Sequence, residues 1–458
     1  MYVSRVSLSE RKQFMSNVRA RRRISSFQII ILGFAGVILL GALLLMLPVS
    51  TRSGVVTPFT DALFTSTSAV CVTGLVVRDT GSYWSTFGQS VIILLIQIGG
   101  LGVITVAAAF SLLSGRKISL RQRSTMQDAI SAPQVGGIVR LTRFVIIGTF
   151  TVELVGALLL MPSLCSQFGA RGVWMSFFHA ISAFCNAGFD LFGQVGAEYV
   201  SLTVYASSVP VNTVIMLLIV LGGLGFLTWE DICTHRWRVH RYRMQSKVIL
   251  TVSAVLIFLP AVLFFFCDFA DRPLGERILC SLFQSVTART AGFNTADLSA
   301  MTGVSRAVLI VLMLIGGSPG STAGGMKTTT AAVLFANATA TFCQRESAHF
   351  FGRRIGSTVV KNAATILIMY VTLMLAGGCA VSLIEDLPLS ACLFETASAV
   401  GTVGVSLGIT PSLGLASHMI LILLMFLGRV GGLTVIYAAM SGNDTFTAKL
   451  PQEKIIVG

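Results

Sequence analysis

Long stretches of apolar residues without charge dominate the chain and restrict what it can fold into. Eight of them are candidate membrane spans, because a helix needs roughly 20 apolar residues to cross the hydrocarbon core of a bilayer. Only 11% of the residues are charged, whereas soluble domains carry about 25%. The sequence therefore predicts an all-α polytopic membrane protein. The candidate spans are 27–49, 87–115, 144–164, 208–229, 248–267, 307–336, 362–384 and 415–427, of which the third contains only Glu153 and the sixth only Lys327 as charged residues.

The basic residues are distributed unevenly between the segments that connect these spans. Of the 33 Lys and Arg residues, 24 lie before the first span, in every second connection and in the C-terminal tail, whereas seven lie in the other connections. Cytoplasmic loops carry such an excess, so both termini are predicted to be cytoplasmic in a multi-pass protein of the cell membrane. The net charge of +14 then reflects topology and not a nucleic-acid partner, although part of it can meet membrane lipid or an acidic protein.

An internal repeat organises the spans. Every second span ends in a glycine-rich patch, and a glycine followed by a hydrophobic residue lies 24 to 34 residues before the first glycine of that patch. A threonine follows six residues after that first glycine. Agreement at four places predicts four copies of one unit. The patches are 98–102, 221–225, 315–319 and 427–431, the upstream glycines are Gly74, Gly188, Gly292 and Gly404, and the threonines are Thr105, Thr228, Thr322 and Thr434.

Each upstream glycine follows a short apolar stretch, such as 58–68 in the first copy. Eleven residues of helix rise only about 16 Å, about half of a bilayer core, so the segment must enter the membrane and turn back. Each copy is therefore predicted as helix, pore loop and helix, and the four copies, with eight transmembrane helices, surround a central ion pore. The predicted boundaries are 27–115, 140–234, 246–341 and 359–442 for the repeats, with cytoplasmic segments at 1–26 and 443–458.

The glycine turns that follow the short helices predict a selectivity filter. Non-helical backbone is tolerated at membrane depth only inside protein or around water, and four such turns can direct carbonyl oxygens at a cation that has lost its hydration shell. The short helices also direct their negative C-terminal dipoles at the axis. Side-chain hydroxyls and the Asn186 amide either add ligands at the inner end or cap the short helices. The predicted filter residues are Val72, Thr73, Gly74, Asn186, Ala187, Gly188, Thr290, Ala291, Gly292, Thr402, Val403 and Gly404.

With these residues, the chain resembles the Trk/Ktr/HKT superfamily of potassium transporters from about residue 27 to residue 441. Eight spans, and not ten, resemble the KtrB-type membrane subunit more than the TrkH type. The resemblance implies potassium permeation, since all four filter positions are glycine, whereas sodium-selective plant members have Ser in the place of Gly74. One departure is Ala288, where relatives often have Pro.

The resemblance also implies partners and regulation. Subunits of the KtrB type are homodimers that sit on a cytoplasmic ring of KtrA-type regulatory subunits, and they are typically stimulated by sodium. A nucleotide, ATP/ADP or NAD, is then expected on the regulatory partner. No cofactor is expected in this chain, whose only metal would be potassium held by filter carbonyls.

The third patch begins a stretch that cannot remain helical, because Pro319 and five glycines interrupt it. In the family a loop at this place gates the pore, so we expect an intramembrane gate below the filter and a broken inner helix in the third copy only. A phosphate-binding loop is the alternative, but Met326 separates Gly325 from Lys327 and the surroundings are apolar. The predicted gate residues are Gly316, Gly317, Ser318, Pro319, Gly320, Ser321, Thr322, Ala323, Gly324, Gly325 and Lys327, together with Arg429.

Three charged residues are expected to act inside the membrane. Arg429 stands where the other patches have glycine, and we expect it to set the flux and to bind carbonyls of the gating segment; a structural salt bridge is the alternative. Glu395 is expected to support the filter from behind, against a filter amide. Glu153 is expected to form a buried ion pair or hydrogen bond, with proton coupling as the alternative.

Other classes of protein fit the sequence less well. A membrane-embedded enzyme needs a catalytic cluster at membrane depth, and the nine cysteines and five histidines show no CxxC pair or metal-ligand spacing. A transporter with inverted repeats would not give four repeats in the same direction. A sodium-permeable or ion-coupled symporter of the same superfamily stays open as an alternative.

Overall fold

The computed structural model describes residues 26–113, 120–130, 137–194 and 198–431. Almost all regular structure in these ranges is helical, and the single sheet is a two-stranded hairpin. The C-terminal segment, all but the last residue of the N-terminal segment, the end of the fourth predicted repeat and Thr434 lie outside the described residues.

Long helices and short helices alternate with further elements along the chain. Four are long and apolar enough to cross a membrane: α1 (Ser26–Leu45), α6 (Ile138–Phe168), α10 (Met244–Cys267) and α14 (Ser357–Glu385). Each is followed by a short helix that packs against it: α2 (Phe59–Cys71), α7 (Arg171–Phe184), α11 (Leu274–Thr287) and α15 (Leu389–Gly401). The remaining elements are α3 (Thr86–Leu101), α4 (Val103–Leu113), α5 (Leu120–Ile130), α8 (Val209–Gly223), α9 (Phe226–His235), α12 (Gly303–Leu314), α13 (Thr328–Phe342), β1 (His349–Phe350), β2 (Arg353–Arg354) and α16 (Leu415–Val430).

The outward faces of the long helices require an apolar solvent. About a third of the most apolar window of each long helix is buried inside the protein, and the remaining surface carries large hydrophobic side chains. Leu39, Leu40 and Leu43 of α1 and Phe258 and Leu259 of α10 are more than half exposed. Large apolar patches are rare on the surfaces of soluble monomers. The protein is therefore a helical membrane protein.

Two of the predicted spans are sharply bent. The α3 and α4 helices meet at 96°, and α8 and α9 meet at 100°. Counting each bent pair as one span gives six in the described part of the chain. The expectation that only the third inner helix is broken is therefore wrong, since the first and second break as well.

The breaks have one cause, which is the last glycine of the patch. Gly102 has φ 84° and ψ 134°, and Gly225 has φ 87° and ψ 138°. Gly431, which follows α16, has the same conformation. Only glycine adopts this conformation without strain, so α3 and α8 end beside Gly102 and Gly225 and the chain turns into α4 and α9. The third patch has Pro319 in this place and cannot make the same turn.

Candidate functional site

The four upstream glycines, although successive ones are 104 to 114 residues apart in sequence, meet in one ring, which we call the glycine ring. A Cβ placed on Gly74 would lie 2.5 Å from the carbonyl oxygen of Ala187, the residue before the next glycine. We call the non-helical segment that ends in each ring glycine a strand of the ring. Each of the other ring glycines abuts the next strand in the same way, and the fourth abuts the first, so a side chain at any of them would collide with backbone. These contacts are Gly188 with the Ala291 oxygen at 2.6 Å, Gly292 with the Val403 oxygen at 2.6 Å and Gly404 with the Thr73 oxygen.

The four strands of the ring share one backbone conformation. Two residues before each glycine stands a non-glycine residue with positive φ, at values from 52° to 79°. The left-handed region is costly for such residues and is kept only where the surroundings enforce it. The same strain at four equivalent places means that the strands are built alike. The residues are Val72, Asn186, Thr290 and Thr402, followed by the ring glycines at φ 92°, 69°, 85° and 88°.

Hydroxyl groups of the short helices hold these strands. Ser68 Oγ accepts the Gly74 amide at 3.1 Å, and Ser398 Oγ accepts the Gly404 amide at 3.0 Å. Ser182 donates instead to a carbonyl, that of Phe189, at 2.7 Å. Sequence reasoning missed these supports, although Ser recurs six residues before the glycine in three of the four copies.

The polar side chains predicted as ligands or caps divide into two groups. The Oγ1 atoms of Thr73 and Thr402 are buried and have no hydrogen-bond partner among the described residues, so neither caps a helix. Thr290 Oγ1 and the side-chain amide of Asn186 lie 3.2 Å apart and satisfy each other.

Glu395 lies fully buried behind the fourth strand. Its carboxylate accepts from Ser406 Oγ at 2.6 Å, Leu407 N at 3.0 Å and Thr410 Oγ1 at 2.7 Å. The bound amide belongs to the third residue after the glycine and not to residues 402–404. His179 occupies the same place in the second copy, where its Nε2 atom accepts the Leu191 amide at 3.2 Å; sequence reasoning did not assign it a role.

The first glycine of a patch allows an inner helix to touch a short helix. Gly99, Gly222 and Gly428 each abut the carbonyl of the residue four before the ring glycine of their own copy. The third copy differs, because Gly316 abuts the Gly324 carbonyl and the Thr290 side chain. In the third copy the first glycine therefore packs against the 316–327 segment and the Thr290 side chain, and not against the carbonyl of a short helix.

This segment, predicted as the gate, is non-helical and is hydrogen-bonded to the bend between α8 and α9. Ser318 N donates to the Gly223 oxygen at 2.9 Å, and Phe226 N donates to the Gly320 oxygen at 2.8 Å. Thr322 Oγ1 lies 3.0 Å from the Gly222 oxygen. The segment is therefore held by backbone of another copy and not by its own side chains alone.

Arg429 joins this segment to the first copy. One guanidinium nitrogen donates to the Thr322 oxygen and the other to the oxygens of Gly99 and Gly100, the last at 3.2 Å. Within the described ranges no carboxylate forms an ion pair with it. Lys327 Nζ also binds a carbonyl, that of Ala323, at 2.8 Å.

Two cavities adjoin these groups. One, of about 220 Å³, is lined by all four ring glycines and by Asp79 and Asp190. Burial raises the pKa of Asp190 to about 7, and the nearby Asp79 carboxylate adds to the shift. The other, of about 290 Å³, is lined by Lys327, Arg429 and part of the 316–327 segment.

Comparison with known proteins assigns the chain to a family. The model of the TrkH family, described as cation transport protein, matches residues 2–449. The chain belongs to the TrkH family of cation transport proteins. The predicted kinship with Trk and Ktr transporters is thereby confirmed, and the relatives of this TrkH-family chain are named as transporters and not as enzymes.

Among the relatives that cover nearly the whole chain are two uptake proteins. The potassium/sodium uptake protein NtpJ of Enterococcus hirae is 38% identical, over 96% of this chain and 99% of that protein. The Ktr system potassium uptake protein B of Bacillus subtilis is 35% identical, over 95% and 97% respectively. The fold is that of the potassium transporter TrkH from Vibrio parahaemolyticus, with a TM-score of 0.72 at 17% identity over 92% of this chain and 85% of that chain.

Proposed function

We propose that this protein takes up potassium across the cell membrane as the ion-translocating subunit of a Ktr-type system. The glycine ring carries the proposal, because four strands of equal conformation meet where no side chain fits and open on a cavity with two carboxylates. The names of the relatives agree with it, since both are uptake proteins for potassium or for potassium and sodium.

The architecture we propose is four helix–pore loop–helix units with eight transmembrane helices and both termini cytoplasmic. The succession of a long helix, a short helix, a ring strand and a further helix recurs four times in the described residues, which supports the units predicted from the glycine spacing. The bent pairs α3–α4 and α8–α9 then each complete one inner helix, and α12 with α13 forms the third.

The filter works through backbone carbonyls of residues 72–74, 186–188, 290–292 and 402–404. A ring closed by glycine fixes the spacing of these oxygens, which replace the hydration shell of a bare potassium ion. The Thr73 and Thr402 hydroxyls, which lack partners within the described chain, add ligands. Each short helix contributes the negative end of its dipole.

The gate is the 316–327 segment with Arg429. A guanidinium beside a cation pathway repels potassium, while its hydrogen bonds to the carbonyls of Thr322, Gly99 and Gly100 hold the segment closed. Opening then requires the segment to leave both Arg429 and the Gly223 carbonyl. We further propose that the protein is a homodimer on a cytoplasmic KtrA-type ring that binds ATP/ADP or NAD, and that sodium stimulates it. One relative is named as a protein of a Ktr system, which supports membership of a system with further components.

A sodium-permeable or ion-coupled transporter is the second candidate. The relative at 38% identity is named for both potassium and sodium, and this observation favours it. The two candidates agree on the pathway and differ in which ion permeates and whether its movement is coupled.

Flux measurements on proteoliposomes test the proposal. Wild-type protein should take up rubidium down its gradient, faster when sodium is present, and chain-free liposomes should not. Gly74→Ser should lower the preference for potassium over sodium, because the new side chain meets the Ala187 carbonyl. Unchanged selectivity in a folded Gly74→Ser protein would contradict the filter assignment, and sodium uptake equal to rubidium uptake by wild type would favour the second candidate.

A further inference from the structure

A buried carboxyl group lies behind the second strand of the ring. Glu153, midway along α6, is 3% exposed. Its Oε2 atom accepts from Gln97 Nε2 at 3.2 Å, and its Oε1 atom lies 3.8 Å from Cys185 Sγ. No Lys, Arg or His side chain of the described chain pairs with it, so hydrogen bonds of neutral side chains are what hold it in place.

The two residues that contact Glu153, Cys185 and Gln97, lie next to a strand of the ring and next to a glycine patch. Cys185 directly precedes Asn186, the strained residue of the second strand. Gln97 lies on the last turn of α3, two residues before Gly99. The Glu153 carboxyl thus connects an outer helix with the start of one filter strand and the end of an inner helix.

The last turn of α3 packs tightly against Cys185 and against the end of α2. A Cβ on Gly100 would lie 2.7 Å from Cys185 Sγ, and Gly99 abuts the Val70 carbonyl at the end of α2. Arg429 binds the carbonyls of the same two glycines. One helical turn therefore stands between the guanidinium of the gate and the carboxyl group of α6.

Among the four long helices in the described part of the chain, α6 is the one with a carboxyl group in its middle. The stretches 27–49, 248–267 and 362–384, which contain most of the other three long helices, have no charged residue. A carboxyl group at membrane depth is costly and is kept for a function. Here its contacts lead to a strand of the ring through Cys185 and to the end of α3 through Gln97.

We propose that Glu153 is a positioning residue that fixes the second filter strand through Cys185 and the end of the first inner helix through Gln97. The inference rests on the proposed filter. It predicts that ion selectivity, and not only the amount of folded protein, depends on this carboxyl group.

The test compares Glu153→Leu and Glu153→Gln with wild type in proteoliposomes, with the ratio of rubidium to sodium uptake as the readout. Glu153→Leu should lower the ratio about fivefold, the change that one lost hydrogen bond corresponds to. Glu153→Gln keeps an acceptor oxygen and should retain most of the ratio. Thr151→Leu, a lipid-facing polar-to-apolar change on the same helix, is the matched control and should leave the ratio unchanged.

A wild-type ratio in folded Glu153→Leu protein would overturn the inference, as would a loss of uptake of both ions in equal measure. If Glu153→Leu does not fold, Gln97→Leu and Cys185→Ala remove the same contacts from the other side, and each must lower the ratio. Wild-type protein that takes up no rubidium would instead refute the proposed function.

Coupling to the gate gives a second readout. Because Gln97 and the carbonyls bound by Arg429 lie on one turn, the effects of Glu153→Leu and Arg429→Gln on rubidium flux should not be additive. Additive effects would mean that Glu153 does not act through the α3 turn.

Discussion

Gly325 lies directly against the Gly401 backbone: a Cβ at Gly325 would be 2.8 Å from the Gly401 carbonyl oxygen. The neighbouring Gly324 faces Thr402 Oγ1 as closely. The segment proposed as the gate therefore packs at Gly325 against the last residue of α15 and at Gly324 against the Thr402 side chain.

Gly324→Ala should raise the basal rubidium flux. The added methyl group meets the Thr402 side chain, so the segment must move away from the ring, which favours the open gate. Flux per amount of folded protein is the measurement. Gly303→Ala, where no atom lies within 4 Å of the new Cβ, is the control, and equal behaviour of the two variants would refute the contact.

Arg429→Gln should change the transport rate at least about tenfold, since charge-assisted hydrogen bonds contribute about 1.5–3 kcal/mol each. The direction expected is faster flux, because both the barrier charge and the bonds to Thr322 and Gly99 are lost. Arg429→Lys keeps the charge but not the forked geometry and should show an intermediate rate. Equal losses of rate and protein yield would reduce Arg429 to a structural role.

Uptake should depend on external pH near neutrality. The pKa of Asp190 is raised to about 7 by burial, so the side chain is a carboxylate above that pH and neutral below it. Protonation of Asp190 removes negative charge beside the glycine ring, while Asp79 still faces the same cavity. The apparent affinity for potassium should therefore fall as the pH drops from 8 to 6. Concentration dependence of rubidium uptake at several pH values measures this.

In Asp190→Asn the apparent affinity for potassium should be low at every pH and should no longer depend on pH near neutrality. The exposed Asp297 does not line the cavity, so Asp297→Asn should keep the wild-type profile. A pH response that survives in Asp190→Asn would place the titrating group elsewhere.

Glu395→Ala should destabilise the protein by about 2–4 kcal/mol, because it leaves the half-buried Leu407 N and the buried Thr410 Oγ1 without the carboxylate that accepts from them. Thermal unfolding in detergent is the measurement. Glu385→Ala offers a comparison, since Glu385 also binds backbone and a serine but lies at an exposed helix end. A smaller effect at Glu395 than at Glu385 would contradict the supporting role.

The sequence allowed the strands of the ring to be located, because glycine spacing repeats wherever four backbones must approach one another. The bends at Gly102 and Gly225 were not predictable in the same way. The patches were visible, but their spacing does not show the angle at which the chain leaves each helix, which is 96° between α3 and α4.

The hydrogen-bond partners of buried polar side chains could not be predicted from the sequence either. Glu395 was expected against a filter amide and binds Leu407 instead, since sequence position does not determine how far a side chain reaches. His179 was overlooked because a histidine and a carboxylate do not look equivalent in sequence, although both accept an amide three residues beyond the glycine.

The head-to-tail contact of the ring glycines is a heterologous interface that closes after four steps. Tetramers of identical subunits obtain such closure by symmetry, and any mutation then appears four times at once. Here all four participants are encoded in one chain, and each contact constrains a single glycine per strand. The residue before it is Thr73, Ala187, Ala291 or Val403, so the residues beside the ring can be altered one quarter at a time while the ring stays closed.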